Sequence, residues 1–131
     1  MEATAPRVRS TSPVNRATEV VPTANATATF SEPMNMSTIT GTTFKLLRLN
    51  TDGTTTRVTA SVSYDIARQS ATLDPANDLS SGATYKAVVT IGAQDLAGKF
   101  LDQNSSKEGN QSKSWRFTVS QSNCLILIYL P

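Results

Sequence analysis

Asn25-Ala26-Thr27-Ala28-Thr29-Phe30 alternates polar and apolar side chains, and Ser31-Glu32-Pro33-Met34-Asn35 ends the alternation abruptly. Successive side chains of an extended chain point to opposite faces. Ala26, Ala28 and Phe30 therefore share one face, and Asn25, Thr27 and Thr29 the other, the pattern of a half-buried strand. Pro33 stops it, because proline offers no N–H to a ladder. Asn35 or Ser37 is placed to cap a single helical turn that runs through Ile39.

The same period recurs on both sides of this stretch. Upstream, Arg7 to Ser12 alternates weakly and halts at Pro13, as suits an edge strand. Pro13, Asn15 and Pro22 mark residues 13–23 as loop. Downstream, Phe44 to Leu49 is a strand whose phase changes midway: Phe44 and Leu46 face one way, Leu47 and Leu49 the other. That implies a bulge or a strand covered on both sides. Asn50-Thr51-Asp52-Gly53 is a hairpin signal. Val58, Ala60, Val62 and Tyr64 then share one face of a single strand. The chain turns at Asp65 to Arg68, pairs back over Ser70 to Asp74 and stops at Pro75.

Asp78 to Gly82 is loop. Tyr85, Ala87, Val89 and Ile91 face inward from the next strand, with Val88 on its outer face. Gln94 to Gly98 turns again. Residues 102–114 hold no large apolar residue and read as a polar loop. Trp115, Phe117 and Val119 give the last strand, and Trp115 is expected to anchor the core. Seven short strands separated by turn signals describe an all-β sandwich.

Composition agrees. Of 131 residues, 19 are Thr and 15 are Ser. Thr is β-branched and favours strands over helices. At 14.0 kDa the chain has the length of one domain. The formal net charge is +2, and Lys and Arg are scattered singly, so no basic stripe suits nucleic acid. No run reaches the roughly 20 apolar residues of a membrane span. No signal peptide is visible at Met1. That leaves a cytoplasmic protein or a piece of a longer exported one, and the rest of the sequence favours the second.

Histidine is absent and Cys124 is the single cysteine. This excludes His-based triads, zinc clips and intrachain disulfides. Acidic groups near turns are the remaining metal candidates: Asp95 with Asp102, and separately Asp74 with Asp78. Calcium takes six to eight oxygens, and no DxDxDG loop is present. A turn-stabilising role for Asp95 is the expectation, with no metal and no cofactor. No two acids sit in a recognisable catalytic setting, so the chain is read as no enzyme. Most aromatics fall on inward positions, and Phe100 is the best exposed candidate for stacking on a glycan.

Several segments, in order, resemble a known family: Ser10-Thr11-Ser12-Pro13, Ala28 to Asn35, Ser37 to Phe44, Leu79 to Tyr85, Asp95-Leu96-Ala97-Gly98 and Trp115-Arg116-Phe117-Thr118. Together they look like the bacterial Ig-like domain of the S-layer-protein type (SbsA Ig-like), over about residues 6–120. The resemblance implies a seven-stranded Ig-like β-sandwich with Greek-key connections, without catalytic residues to carry over. It implies a place in tandem within exported, cell-surface or secreted bacterial proteins. Lys99 stands where the family often has Asn, and the polar loop before Trp115 is longer than usual. Glu32 is expected to accept backbone N–H groups in the turn after it, and Gly82 to supply a positive φ before the Tyr85 strand.

The expected organisation is a leader at 1–5, the domain at 6–120 and an apolar tail at 121–131, non-native or the start of a next element. Leu125 to Leu130 carries no charge and has the signature of an aggregation-prone strip, with Cys124 beside it. The expected function is a structural spacer module whose partners are neighbouring domains of the same polypeptide. The alternatives are a glycan- or protein-binding module, acting through the turn 94–98 and the loop 99–114, and an accessory domain of a secreted hydrolase.

Overall fold

The computed structural model describes residues 5–103, 109 and 111–120. Among the described residues nine strands form two sheets. They are β1 (Val8–Ser12), β2 (Ala17–Val20), β3 (Ala26–Phe30), β4 (Phe44–Leu49), β5 (Thr55–Arg57), β6 (Ala60–Asp65), β7 (Ser70–Pro75), β8 (Thr84–Val89) and β9 (Lys113–Val119). One sheet has the order β1-β3-β7-β6 and the other β2-β9-β8-β4-β5. Non-sequential neighbours in both sheets make the Greek-key pattern of an Ig-like sandwich.

The count is nine rather than seven for two local reasons. Residues 13–23 are not all loop: Ala17–Val20 forms β2, which runs parallel to β9. The first strand is thus split, β1 pairing with β3 in one sheet and β2 with β9 in the other. The run from Val58 to Tyr64 is not one strand either. β5 pairs with β4, the chain crosses at Val58 and Thr59, and β6 pairs with β7 in the opposite sheet.

β4 pairs with β8 without a register break from Phe44 to Leu49, so the phase change is no bulge. Phe44 and Leu46 are buried, while Leu47 and Leu49 are half-buried on the outer face. Ile91 does not face inward: β8 ends at Val89, and Ile91 is exposed in the turn beyond it. The last strand starts earlier than expected, at Lys113. The helical turn is a 3-10 turn at Met36–Thr38, with the Asn35 side chain accepting from Ser37 N–H. The apolar tail, residues 1–4 of the leader, and residues 104–108 and 110 of the polar loop lie outside the described residues.

The core fills the space between the sheets. Phe30, Phe44, Leu46, Leu73, Val89, Leu101, Trp115, Phe117 and Val119 are all but fully buried. Trp115 packs its ring against Phe44 with centroids 6.0 Å apart, and Tyr85 stacks on Phe117 at 6.0 Å. Among the described residues the Trp115 indole N–H has no acceptor. Its place rests on apolar contact.

Strand directions define two poles. β3 and β8 end, and β1 and β9 begin, at one pole, together with the turns after Phe30, Asp65 and Val89. This is called the N-terminal pole. β9 ends at the other, the C-terminal pole, near Thr84 and the start of β8.

Candidate functional site

The N-terminal pole collects the chemistry. Two segments far apart in sequence, Glu32–Asn35 and Gln94–Lys99, are sewn together there. Met34 bridges Asp95 in antiparallel fashion. Asn35 N–H donates to the Gln94 carbonyl at 2.9 Å. Thr38 Oγ1 accepts from Gln94 N–H at 3.0 Å. The Tyr64 hydroxyl accepts from Met34 N–H at 2.9 Å.

Asp95 is the buried charged residue of the described core, 1% exposed. Its Oδ1 accepts from Ala97 N–H at 2.9 Å and Lys99 N–H at 2.8 Å. Its backbone N–H donates to the Lys99 carbonyl, and its carbonyl accepts from Gly98 N–H, both at 3.0 Å. Gly98 closes this turn at φ +87°, a conformation that a Cβ disfavours. Asp95 therefore has the turn-stabilising role expected of it.

Glu32 does not. Among the described residues no backbone N–H donates to its carboxylate. Its carboxyl instead lies within hydrogen-bonding reach of the Asp95 carboxyl. Partial burial, the hydrogen bond to Asp95 and the negative charge of Asp95 push the Glu32 pKa up to about 7, with Lys99 opposing them. Asp95 Oδ2 is buried and receives no N–H or O–H donor among the described residues. A proton on Glu32 supplies the donor that this oxygen lacks, since two carboxylates side by side cannot both ionise cheaply.

The other acidic candidates stay apart from this pair. Leu101 N–H donates to the Ala93 carbonyl at 2.8 Å, so Asp102 lies at the mouth of the small hairpin that Asp95 turns. Asp102 Oδ1 accepts from Gln111 N–H at 3.1 Å and closes the base of the polar loop. Asp74 and Asp78 are exposed at the C-terminal pole. Among the described residues no group of three or more Asp, Glu, Cys or His is placed to hold a metal ion.

An apolar shelf adjoins the acidic pair. Met36, Ile66 and Leu96 are 55%, 67% and 71% exposed. With Pro33, Met34, Asn35 and Tyr64 they line a cavity of about 190 Å³. Phe100 is 47% exposed, as expected, in the strand-like segment beside Gln94. The sequence reading missed this shelf because its members are single apolar residues in three separate turns.

It also missed a feature at the other pole. The Tyr85 hydroxyl accepts from Ser80 N–H at 2.8 Å, five residues upstream. That is the tyrosine corner of Ig-like sandwiches. Gly82, at φ +74° as expected, donates to the carbonyls of Val119 and Ser120 within the same corner.

Split first strand, Greek-key sheets and tyrosine corner define an Ig-like β-sandwich. The chain belongs to the bacterial Ig-like domain family, whose model matches residues 2–119. No curated protein matches it. Among solved structures it is similar to surface layer protein SbsC, domains 1–6, at 24% identity and TM-score 0.60, over 90% of this chain and 14% of that one. The chain thus spans a small part of that protein's length. It is also similar to PcoC, a methionine-rich copper resistance protein from Escherichia coli, at 19% identity and TM-score 0.68, over 89% of this chain and 100% of that one. CopC from Methylosinus trichosporium OB3b is similar at 14% identity and TM-score 0.61, over 88% and 94% of the two chains. At these identities the likeness is one of fold.

Proposed function

We propose that this domain is a non-catalytic structural module, a spacer within a larger bacterial cell-surface or secreted protein. The observation that carries this reading is the chain path. β1 starts at one pole and β9 ends at the other, so copies or other domains joined to it line up in series. The family and the likeness to a multidomain surface layer protein support the same reading and a place at the cell surface or outside the cell.

The test is a fusion of three full-length copies in series, measured by small-angle scattering and thermal melting. A spacer lengthens the particle by a constant increment per copy, and each copy melts as the single chain does. A particle that folds back on itself, or copies that destabilise one another, would count against it.

The shelf of Met36, Ile66 and Leu96 favours a second reading, that of a module binding a protein partner. A neighbouring domain preceding it would meet the sandwich at that pole. A glycan array on the same chain tests the glycan alternative, for which Phe100 is the stacking candidate.

A further inference from the structure

We propose that the outer face of the five-stranded sheet binds an acidic polysaccharide, laid across the strands over Arg16, Arg116 and Lys86. This surface is separate from the shelf and from Phe100, and the proposal does not depend on the spacer reading.

The fold gathers charge that the sequence scatters. The strands of this sheet hold Lys45, Arg48, Arg57, Lys86, Lys113 and Arg116 against one acid, Glu19. The strands of the other sheet hold Arg9 against Asp65 and Asp74. The positive charge of the strands is thus concentrated on one side of the sandwich.

Alternation fixes which side chains face out. Trp115, Phe117 and Val119 are buried in β9, and Tyr85 and Ala87 in β8. Ser114, Arg116 and Thr118 therefore point outward from β9, and Lys86 from β8. The register sets Lys86 directly opposite Arg116. On the next strand Leu47 is opposite Lys86, and Lys45, two residues along the same face, is its diagonal neighbour. On the other side, Arg16 N–H donates to the Arg116 carbonyl at 2.6 Å. Asn15, Arg16, Lys86, Ser114, Arg116 and Thr118 line a depression of about 580 Å³.

Like charges directly opposite in a sheet are destabilising. The fold does not relieve this pair. Among the described residues Asp65 makes an ion pair with Arg68, and no carboxylate pairs with Arg16, Lys86 or Arg116. Glu19 is not part of the depression. Cations held together without a counter-charge are a site for an anion from outside.

The arrangement selects among anions. From Arg16, just before β2, to Lys45 in β4 the cations span about 14 Å, at roughly 4.8 Å per strand. Such a row suits a chain of repeated charges rather than one small ion. Ser114, Thr118 and Asn15 stand among the charges, hydroxyls and an amide that can meet sugar hydroxyls. Single-stranded nucleic acid calls for aromatic stacking platforms, and the rings of Tyr85, Trp115 and Phe117 are turned into the core.

The experiment is titration of the full chain with polygalacturonate and with dextran sulfate, by calorimetry at low salt. Neutral dextran, polyglutamate and single-stranded DNA serve as comparisons. At least one acidic polysaccharide should bind, more weakly as salt rises, and the stronger of the two tells carboxylate from sulfate. Lys86→Gln and Arg116→Gln each lower the affinity severalfold. Arg9→Gln, the same charge change in the other sheet, leaves it unaltered. Either substitution in the opposed pair should leave the melting temperature in place or raise it, because it removes a repulsion. Should one misfold, Ser114→Glu, at an exposed position in the same depression, lowers the affinity instead. Binding no tighter than to neutral dextran, or equal losses from Arg9→Gln and Arg116→Gln, would overturn the site. Polyglutamate or single-stranded DNA bound as tightly as the better polysaccharide would overturn its assignment to an acidic sugar chain.

Discussion

The two poles close with the same device and then diverge. At each, a tyrosine hydroxyl accepts a backbone N–H: Tyr85 from Ser80 at the C-terminal pole, Tyr64 from Met34 at the N-terminal pole. At the C-terminal corner the bond joins a hydroxyl and a backbone N–H. The N-terminal pole adds a buried carboxyl that holds a turn and a second carboxyl pressed against it. A turn tied by a neutral hydroxyl needs no charge balance. A turn tied by a buried carboxylate does, and the Glu32 proton provides it below about pH 7.

Both poles hang on one core, which sets the scale for any difference between them. Trp115→Ala is expected to cost about 3–5 kcal/mol through lost transfer energy and a cavity. Chemical denaturation measures it, and both poles should melt together. A loss below about 0.5 kcal/mol, that of an ordinary surface change, would break the shared-core premise.

Asp95→Ala comes next. It leaves the N–H groups of Ala97 and Lys99 without their acceptor, for about 2–3 kcal/mol. Asp95→Asn keeps an acceptor oxygen and should recover much of that loss. If Ala and Asn behave alike in denaturant titrations, the turn is not held by Oδ1. Tyr85→Phe frees one backbone N–H at the opposite corner, and a loss of about 1–2 kcal/mol in denaturant titrations is expected.

The smallest effect is the most diagnostic. The folded pKa of Glu32 is raised from 4.5 to about 7. The stability linked to it is therefore fully present below about pH 4.5 and is lost as the pH rises through about 7. Glu32→Gln carries its hydrogens at every pH. Denaturation midpoints at pH 5 and pH 8 should differ less in Glu32→Gln than in the parent chain, with the variant gaining at pH 8. An unchanged pH profile would remove the distinction between the poles.

Much of the sandwich was legible in the sequence because its signals are local. The alternation at Ala26 to Phe30, the Asn35 cap, the Asp52-Gly53 turn and the inward Trp115 each depend on neighbours a few residues away. β2 was not legible. It has four residues, two prolines nearby and a parallel partner about a hundred residues downstream. The crossing at Val58 and Thr59 was hidden for a different reason. The core lies between the sheets, so a chain that passes from one sheet to the other keeps the same side chains facing inward, and the alternation shows no seam.

The candidate site was half legible. Asp95 was named for its turn, correctly, but Glu32 was assigned to backbone donors. What it meets is a carboxyl 63 positions away in sequence, a pairing that no local spacing announces. Lys99, noted as a departure from the family, bears on the same pair by easing the charge on Glu32.

The open edges of the sheets have a consequence for crowding. Domains strung on one chain meet their neighbours at effective concentrations on the order of millimolar, where any long bare strand invites its neighbour to add to the sheet. Among the described residues the four edges are β1, β6, β2 and β5. β5 has only three residues. β2 is kinked, with Arg16 and Glu19 at φ +70° and +58°, and β1 shifts register between Val8 and Ser10. Only β6 is both regular and of full length, and it turns exposed Ser61 and Ser63 outward and ends on Asp65. Three of these four edges thus offer an incoming strand too little straight backbone to zip onto.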